Sequence, residues 1–221
     1  MAAAKLLVSF FEDLLSLGTS PEAFSTIVVS HILKPGKDRK ADVLSDHRPI
    51  ACFSVVAKVV MNALRRFCLE LTGPLQGLEQ FAEQPRTCSE MAAFTISSVL
   101  QARKGKKTLV AYVDIKGAYD ICWKPALWLK LHMAGLRGPA WTLLKAILSN
   151  HPTCLKVAGR VSKMYNIAVG LAQGSPLSGF CFTAFLDDLA TLFKEENICL
   201  CGEWEVPAKQ SSISQGVETA L

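Results

Sequence analysis

The sequence predicts an α+β fold in which helices dominate and a few strands lie beside them. Three observations support this prediction. Apolar residues recur at helical spacing over several long segments, short segments rich in β-branched residues lie between turn-forming residues, and no internal repeat or low-complexity tract is found. Half of the 221 residues are hydrophobic, so the chain can bury a sizeable core.

Local signals place the elements of the first half. Gly18 ends an amphipathic helix, and Ser20 is predicted to cap a second helix with Pro21 in its first turn. The run Thr72-Gly73-Pro74 ends a third helix, and the segment 34–47 is polar and rich in turn residues. The predicted elements are helices over 3–17, from Ser20 onward, over 54–71 and over 88–103, and a strand over 25–33.

The second half alternates the two kinds of element. The segment TLVAYVDI has the pattern of a buried strand, and Gly138-Pro139 separates two helical stretches. Residues Ala158-Gly159-Arg160 are predicted to form the turn of a hairpin. The predicted elements are a strand over 108–115, helices over 125–135, 139–149 and 175–195, and hairpin strands over 153–158 and 161–169, followed by a polar, weakly patterned tail over 196–221.

Bulk composition narrows the class of protein. The net charge of +5 permits a polyanionic partner but does not require one. The eight cysteines form no CxxC pair, which favours reduced thiols in an intracellular protein, nuclear or cytoplasmic, over a zinc site. No apolar run approaches the ~20 residues of a membrane span, so no membrane association is expected.

Asp114 is the first candidate for chemistry. It follows an apolar strand pattern, and a carboxylate at the end of a buried strand is well placed to hold Mg²⁺, an ion that prefers oxygen ligands and substrate phosphates. The alternative is a helix cap or a surface residue.

The run AQGSPLS at 172–178 is the second candidate. Gly174 permits a close backbone approach to a ligand, and Gln173 carries both a donor and an acceptor. Ser175 with Pro176 is predicted to open a helix whose free N–H groups favour anions. The alternative is a tight turn and a helix cap.

Three basic residues are the third candidate. Lys34 and Lys37 surround a glycine turn after the first strand, and Arg48 begins the next apolar segment. Together they could clamp phosphate, since Arg binds phosphate through two hydrogen bonds and Lys acts as a point charge. The alternative is a solvated basic loop.

The order of these motifs is more specific than any one of them. LKPGK, HRPI followed by SVVAK, VDIKGAYD and AQGSPLS follow one another along the chain. This series resembles the reverse transcriptase family, most closely the non-LTR retroelement enzymes, which commonly read IPKPGK, YRPIS with a downstream Lys, DxxxAFD and PQGSxLSP. The resemblance covers roughly residues 21–195.

The resemblance implies a right-hand polymerase fold and a two-metal nucleotidyl transfer. Asp114 would ligate Mg²⁺ with help from the Ile115 carbonyl, and Tyr119 would exclude a ribose 2′-hydroxyl so that deoxynucleotides are selected. Gln173 and Gly174 would line the nucleotide pocket. Lys34, Lys37 and Arg48 would meet the triphosphate or the template backbone. The implied partners are an RNA template, a DNA primer and dNTPs. Asp120 is interpreted as structural, capping the next helix.

The sequence also departs from the family's pattern. A second acidic pair, an aromatic residue followed by any residue and Asp-Asp, is expected on a hairpin some tens of residues after Gln173. Phe185-Leu186-Asp187-Asp188 begins only twelve residues after Gln173, inside a predicted helix, and we interpret it as helix. Ala172 and Gly179 replace prolines, and Ala82-Glu83 replaces Gly-Phe in a QxGFxxxRST stretch.

These observations predict the following organisation: fingers-like residues 1–107, a partial palm over 108–195, a tail over 196–221 and no thumb. The predicted function is a retrotransposon reverse transcriptase domain, truncated before the paired aspartates and inactive as this chain, with weak Mg²⁺ binding. The alternative is a non-catalytic nucleic-acid-binding remnant or domesticated fragment of the same fold. The oligomeric state is not predicted.

Overall fold

A computed structural model describes residues 2–37, 46–73, 80–83, 87–149, 152–157 and 159–195. Helices and a single mixed sheet alternate along these residues, which confirms the α+β class. In chain order the elements are α1 (Ala2–Leu17), α2 (Glu22–Ser25), β1 (Ile27–Leu33), β2 (His47–Cys52), α3 (Val55–Thr72), α4 (Ser89–Ala102), α5 (Lys124–Met133), α6 (Gly138–Ser149), β3 (Pro152–Val157), β4 (Arg160–Val161), β5 (Tyr165–Asn166) and α7 (Ser178–Glu195).

The sheet brings together strands that are distant in sequence. Its order is β2-β1-β3-β4, and β5 also pairs with β3. β1 and β2 are antiparallel, with Val29 opposite Ala51, whereas β1 and β3 are parallel, with Ile27 opposite Thr153. Pro49 lies within β2, which is tolerated because β2 is an edge strand and a missing N–H there costs no ladder bond.

The core lies where α3, α6 and α7 meet the sheet. Each helix contributes apolar residues spaced three or four positions apart, such as Met61 and Leu64, Leu144 and Ile147, and Phe180 and Ala184, all buried. α1 packs on α6, and α5 packs on α7. No helix of the described residues is both long and apolar enough to cross a bilayer.

Most predicted elements are confirmed within a few residues. Gly18 follows the end of α1, and Ser54 caps α3 by accepting a hydrogen bond from the Ala57 N–H at 3.1 Å. The predicted hairpin exists, but its second arm is divided. β4 and β5 pair with opposite ends of β3, because the Ser162 side chain takes up the Leu155 N–H between them.

The buried strand predicted over 108–115 is wrong. These residues belong to no strand, and all of them are exposed. An apolar run of β-branched residues forms a strand only where a neighbouring strand accepts its hydrogen bonds, and in the described part of the chain no such neighbour lies beside it.

Three predicted helix starts also need correction. The N-cap of α2 is Pro21 rather than Ser20, and it makes no side-chain hydrogen bond. The N-cap of α5 is Trp123, so Asp120 does not cap that helix. α7 begins at Ser178, three residues after the predicted Ser175, because residues 173–177 form turns first.

Candidate active site

The segment 170–174 is tied to two separate parts of the fold. The N–H of Gly170 donates to the Cys122 carbonyl at 3.0 Å, and the N–H of Leu171 donates to the Tyr119 carbonyl at 2.8 Å. On the other side, the Ala51 N–H donates to the Gln173 carbonyl at 2.7 Å. These three bonds hold the VDIKGAYD turn and strand β2 on either side of the AQGSPLS motif.

Two glycines make this close approach possible. Gly170 has a φ of 86°, and a Cβ atom there would lie 2.6 Å from the Asp120 carbonyl oxygen. Gly174 has a φ of 102°, and a Cβ atom there would lie 2.8 Å from the Ala51 carbonyl oxygen. No other residue type fits either the backbone conformation or the space.

A cavity of about 260 Å³ lies between this segment and the sheet. Its walls are mostly apolar, and its side-chain polar groups come from Asp120 and Gln173. Few polar groups in an apolar wall are typical of small-molecule sites. The lining residues are Ile27, Val29, Pro49, Ala51, Asp120, Ile167, Val169, Gly170, Leu171, Ala172 and Gln173.

Asp120 is a site residue that the sequence interpretation missed. We interpreted it as a helix cap, yet it is exposed and lines the cavity in which Gln173 also stands. Its N–H donates to the Gly117 carbonyl at 2.9 Å in the turn that Tyr119 shares. The sequence signal that could have identified Asp120 is its carboxylate, six positions after that of Asp114.

Tyr119 precedes the cavity-lining Asp120 in the chain and is half-buried. Its ring packs on Phe182 of α7, with the centroids 5.2 Å apart. Burial raises the pKa of the Tyr119 phenol, and the negative charge of Glu83 raises it further. The phenol therefore stays neutral, and its ring is held in place by packing on α7.

Asp114 and Ile115 are not brought to the cavity. Both lie in the exposed segment 108–115, and neither is among the lining residues. In the part of the chain that the structure describes, no three His, Cys, Asp or Glu side chains cluster closely enough to hold a metal ion.

The predicted phosphate clamp is likewise spread out. Lys37 pairs with Asp46 at 3.2 Å, and the Lys34 N–H donates to the Asp46 carbonyl at 2.8 Å, so these contacts join the end of β1 to the start of β2. Arg48 is exposed, and the alternation of β2 places it on the face opposite to the cavity-lining Pro49 and Ala51.

The Ser175-Pro176 turn is built mainly by internal bonds. The Ser175 hydroxyl is buried and accepts from the Leu177 N–H at 3.2 Å, and the Ser178 hydroxyl donates to the Ala172 carbonyl at 2.7 Å. These bonds agree with the alternative interpretation of this motif as a tight turn before a helix.

Asp187 and Asp188 lie within α7, which confirms their predicted helical position. The Asp188 carboxylate pairs with Lys130 of α5 at 2.6 Å, and the Lys130 ammonium also stands 4.9 Å from the Phe185 ring centre. Burial and the charge of Asp188 raise the pKa of Asp187, and Lys130 opposes this rise. The ion pair between Asp188 and Lys130 thus helps to hold α5 against α7.

Comparison with known proteins identifies the fold around this cavity. The family described as reverse transcriptase (RNA-dependent DNA polymerase) matches residues 32–202. The chain belongs to the reverse transcriptase family. The match includes the cavity motifs and all of α7, so the reverse transcriptase resemblance seen in the sequence is confirmed.

Similar proteins place this chain with the reverse transcriptase domains of non-LTR retrotransposons. The probable RNA-directed DNA polymerase from transposon X-element of Drosophila melanogaster is 25% identical over 81% of this chain and 20% of its own length. The RNA-directed DNA polymerase from mobile element jockey of the same fly is 26% identical over 86% of this chain and 21% of its own length. The Pol polyprotein from the type-1 element R2 of Popillia japonica is 30% identical over 44% of this chain and 16% of its own length. The two fly proteins match most of this chain, and the chain spans about a fifth of their length.

Proposed function

We propose that this chain is the fingers and first half of the palm of an RNA-directed DNA polymerase, and that the cavity beside Gln173 receives part of an incoming deoxynucleotide. The observation that carries the proposal is the set of three backbone bonds that join the 119–122 turn and strand β2 to the segment 170–174, beside a cavity that Asp120 and Gln173 line. Family membership supports a nucleotide ligand. At about 260 Å³ the cavity suits a sugar or base rather than a whole triphosphate.

Each residue has a distinct proposed role. The Tyr119 ring, which packs on Phe182, is proposed to exclude a 2′-hydroxyl. Gln173 and Gly174 are proposed to present backbone and amide groups to the nucleotide. Lys34, Lys37 and Arg48 contact the triphosphate or the template backbone from the outer side. Asp114, with the Ile115 carbonyl, is proposed to hold Mg²⁺ once the segment that carries it is packed in place. We also propose that the chain binds an RNA template and a DNA primer inside the cell. In this proposal the fingers-like region ends at residue 107, and the partial palm begins at residue 108.

Binding of dATP and ATP tests this proposal. Equilibrium dialysis of the chain with each labelled nucleotide is expected to show a preference for dATP. Tyr119→Ala is expected to remove the preference, because the ring no longer occupies the space of a 2′-hydroxyl. Tyr165→Ala is the matched control, since Tyr165 is an exposed tyrosine on β5, outside the VDIKGAYD motif. Equal affinity for both nucleotides in the unaltered chain would contradict the proposed role of Tyr119.

We further propose that this chain alone does not extend a primer. The only Asp-Asp pair in its 221 residues is Asp187-Asp188, and that pair lies in helix α7. A primer-extension assay on an RNA template, with Mg²⁺ and dNTPs, is expected to give no product. Product that disappeared in Asp114→Ala would overturn this proposal and leave the nucleotide-binding proposal standing.

A second function, nucleic-acid binding without catalysis, is favoured by one feature. Four cations follow α4 within five positions, and in the described residues none of them takes part in an ion pair. They are Arg103, Lys104, Lys106 and Lys107. If they bind phosphates, their joint replacement by Gln will weaken RNA binding and flatten its dependence on log[salt]. An unchanged slope would exclude this surface.

A further inference from the structure

An ion pair joins helix α3 to the segment 80–83. The Arg65 guanidinium binds the Glu83 carboxylate, with 2.6 Å between Nη2 and Oε2, and the same nitrogen lies 3.5 Å from the Glu83 carbonyl oxygen. Both side chains are partly shielded from water, with exposures of 25% for Arg65 and 36% for Glu83. An ion pair that is shielded and held at two points keeps a more fixed geometry than an ordinary surface pair.

Glu83 reaches from this segment onto helix α7. A Cβ atom built on Gly179 would lie 2.9 Å from Glu83 Cγ, so the Glu83 side chain occupies the space that a larger residue at position 179 would fill. Among the residues that the structure describes, Glu83 is also the only one other than glycine with a positive φ, at 61°. Such a backbone persists only where contacts hold it, and the contacts with Arg65 and Gly179 do so.

Tyr119 packs one turn further along the same side of α7. Phe182 lies three positions after Gly179, so the two residues lie on one face of the helix. The Tyr119 ring packs on Phe182 with the centroids 5.2 Å apart. Glu83 and Tyr119 therefore lie over adjacent turns of one helix face.

The field of Glu83 acts on Tyr119. After burial, the negative charge of Glu83 is the second cause that raises the pKa of the Tyr119 phenol. The family pattern has Phe at position 83, and Phe carries no charge. A charged side chain that acts on Tyr119 from position 83 is therefore a feature of this chain and not of the family pattern.

We propose that Glu83 is a positioning residue for Tyr119. Held by Arg65, its side chain bridges α3 and α7 and confines the Tyr119 ring against Phe182. The inference rests on the proposed function, in which the Tyr119 ring excludes a 2′-hydroxyl. A ring excludes a hydroxyl only if it cannot move aside, so the preference for dATP over ATP depends on the Arg65–Glu83 pair. Glu83 acts through Tyr119 and not on the nucleotide itself.

Fluorine NMR tests the positioning without any nucleotide. The chain has three tyrosines, so labelling with 3-fluorotyrosine gives three resonances, and Tyr119→Phe identifies that of Tyr119. Glu83→Gln removes the charge with little change of shape, and it is expected to lower the pKa of the Tyr119 phenol because the charge that opposes phenolate formation is gone. Glu83→Ala is expected in addition to shift the Tyr119 resonance at neutral pH, because the ring is no longer confined.

Equilibrium dialysis with dATP and ATP measures the consequence for specificity. Glu83→Ala and Arg65→Met are each expected to reduce the ratio of the two affinities towards one. Arg65→Met is expected to fold, since in the described residues the Arg65 Nε is buried without a hydrogen-bond partner and Met removes that unsatisfied donor. Far-UV circular dichroism checks that each variant is folded.

A second carboxylate on α3 supplies the matched control. Glu70 is exposed and lies five positions after Arg65, and burial and Glu83 alone account for the raised pKa of Tyr119. Glu70→Gln is therefore expected to change neither the titration of Tyr119 nor the ratio of the dATP and ATP affinities.

Two results would overturn the proposal. The first is a Tyr119 resonance with the same shift and the same titration in Glu83→Gln, Glu83→Ala and the unaltered chain. The second is a dATP preference that persists in both Glu83→Ala and Arg65→Met. Equal affinity for dATP and ATP in the unaltered chain would instead contradict the proposed function, and the fluorine spectra would still decide whether Glu83 positions Tyr119.

Discussion

Glu83 and Gly179 lie in direct contact. A Cβ atom built on Gly179 would come within 2.9 Å of Glu83 Cγ and closer still to its carboxyl group. That carboxylate also pairs with Arg65 of α3 at 2.6 Å, and Glu83 has a left-handed backbone with a φ of 61°. Both residues stand where the family pattern has others, Phe for Glu83 and Pro for Gly179. The two departures from the family pattern therefore meet at one contact.

The first prediction concerns this contact. Gly179→Ala is expected to push the Glu83 carboxylate away from Arg65, so the gain in helix propensity is lost. In a Glu83→Ala background, the same change is expected to stabilise the fold by about 0.5–1 kcal/mol, the difference in helix propensity between Ala and Gly. Urea unfolding of the four proteins measures the coupling, expected to be about 1 kcal/mol. Additive effects would show that the contact is not energetically significant.

The second prediction concerns the backbone bonds of the site. Gly170→Ala is expected to destabilise the fold by about 3 kcal/mol, because the new Cβ collides with the Asp120 carbonyl in addition to straining φ. Gly159→Ala is the control: its φ is 78°, but nothing lies within 4 Å of its Cβ position. It should cost only about 1 kcal/mol. If thermal unfolding showed the same loss of stability for both changes, backbone strain alone, and not the close approach of Asp120, would explain the glycine at position 170.

The third prediction concerns a buried lysine. Lys124 is 5% exposed, and its ammonium reaches one partner, the Ile167 carbonyl at 3.4 Å. Burial lowers the pKa of Lys124, and the nearby Cys122 opposes this shift. Since the folded pKa lies below the unfolded value of about 10.4, the unfolded state binds the proton more tightly and stability rises with pH in that interval. Lys124→Met is therefore expected to stabilise the fold at pH 7 by about 1 kcal/mol.

The pH dependence distinguishes this cause from packing. The advantage of Met at position 124 should shrink as the pH approaches about 10, where the lysine is increasingly neutral in both states. Lys163→Met is the control, because Lys163 is exposed and its replacement should change stability by less than about 0.5 kcal/mol. A gain that is constant from pH 7 to pH 10 would contradict the electrostatic explanation.

The fourth prediction concerns the aspartates of α7. Because Asp188 pairs with Lys130, Asp188→Asn is expected to cost up to about 1 kcal/mol in unfolding. The double change Asp187→Asn with Asp188→Asn is expected to leave dATP binding in equilibrium dialysis unchanged, since neither residue lines the cavity. Loss of dATP binding without loss of folding would show that the interpretation of these two residues as structural is wrong.

The helices of this reverse transcriptase chain were determined by the sequence itself. Helical periodicity is a local property, so the apolar spacing of the helical segments, with stop signals such as Gly18 and Thr72-Gly73-Pro74, sufficed to place α1, α3 and α6 within a few residues. The order of the motifs also determined the family. Each motif is a short run of residues, so the motifs and their order along the chain can be read from the sequence alone. Asp187 and Asp188 were assigned to a helix for the same reason.

Tertiary structure alone decided how distant segments meet. The parallel pairing of β1 with β3 and the bonds from 170–174 to Tyr119 and Ala51 join residues far apart in sequence, and no local pattern encodes such pairing. The segment 108–115 shows that a local pattern can also predict a strand that the fold does not form. Its composition favours a strand, but a strand exists only where a partner completes its hydrogen bonds, and that partner is not encoded within the segment itself.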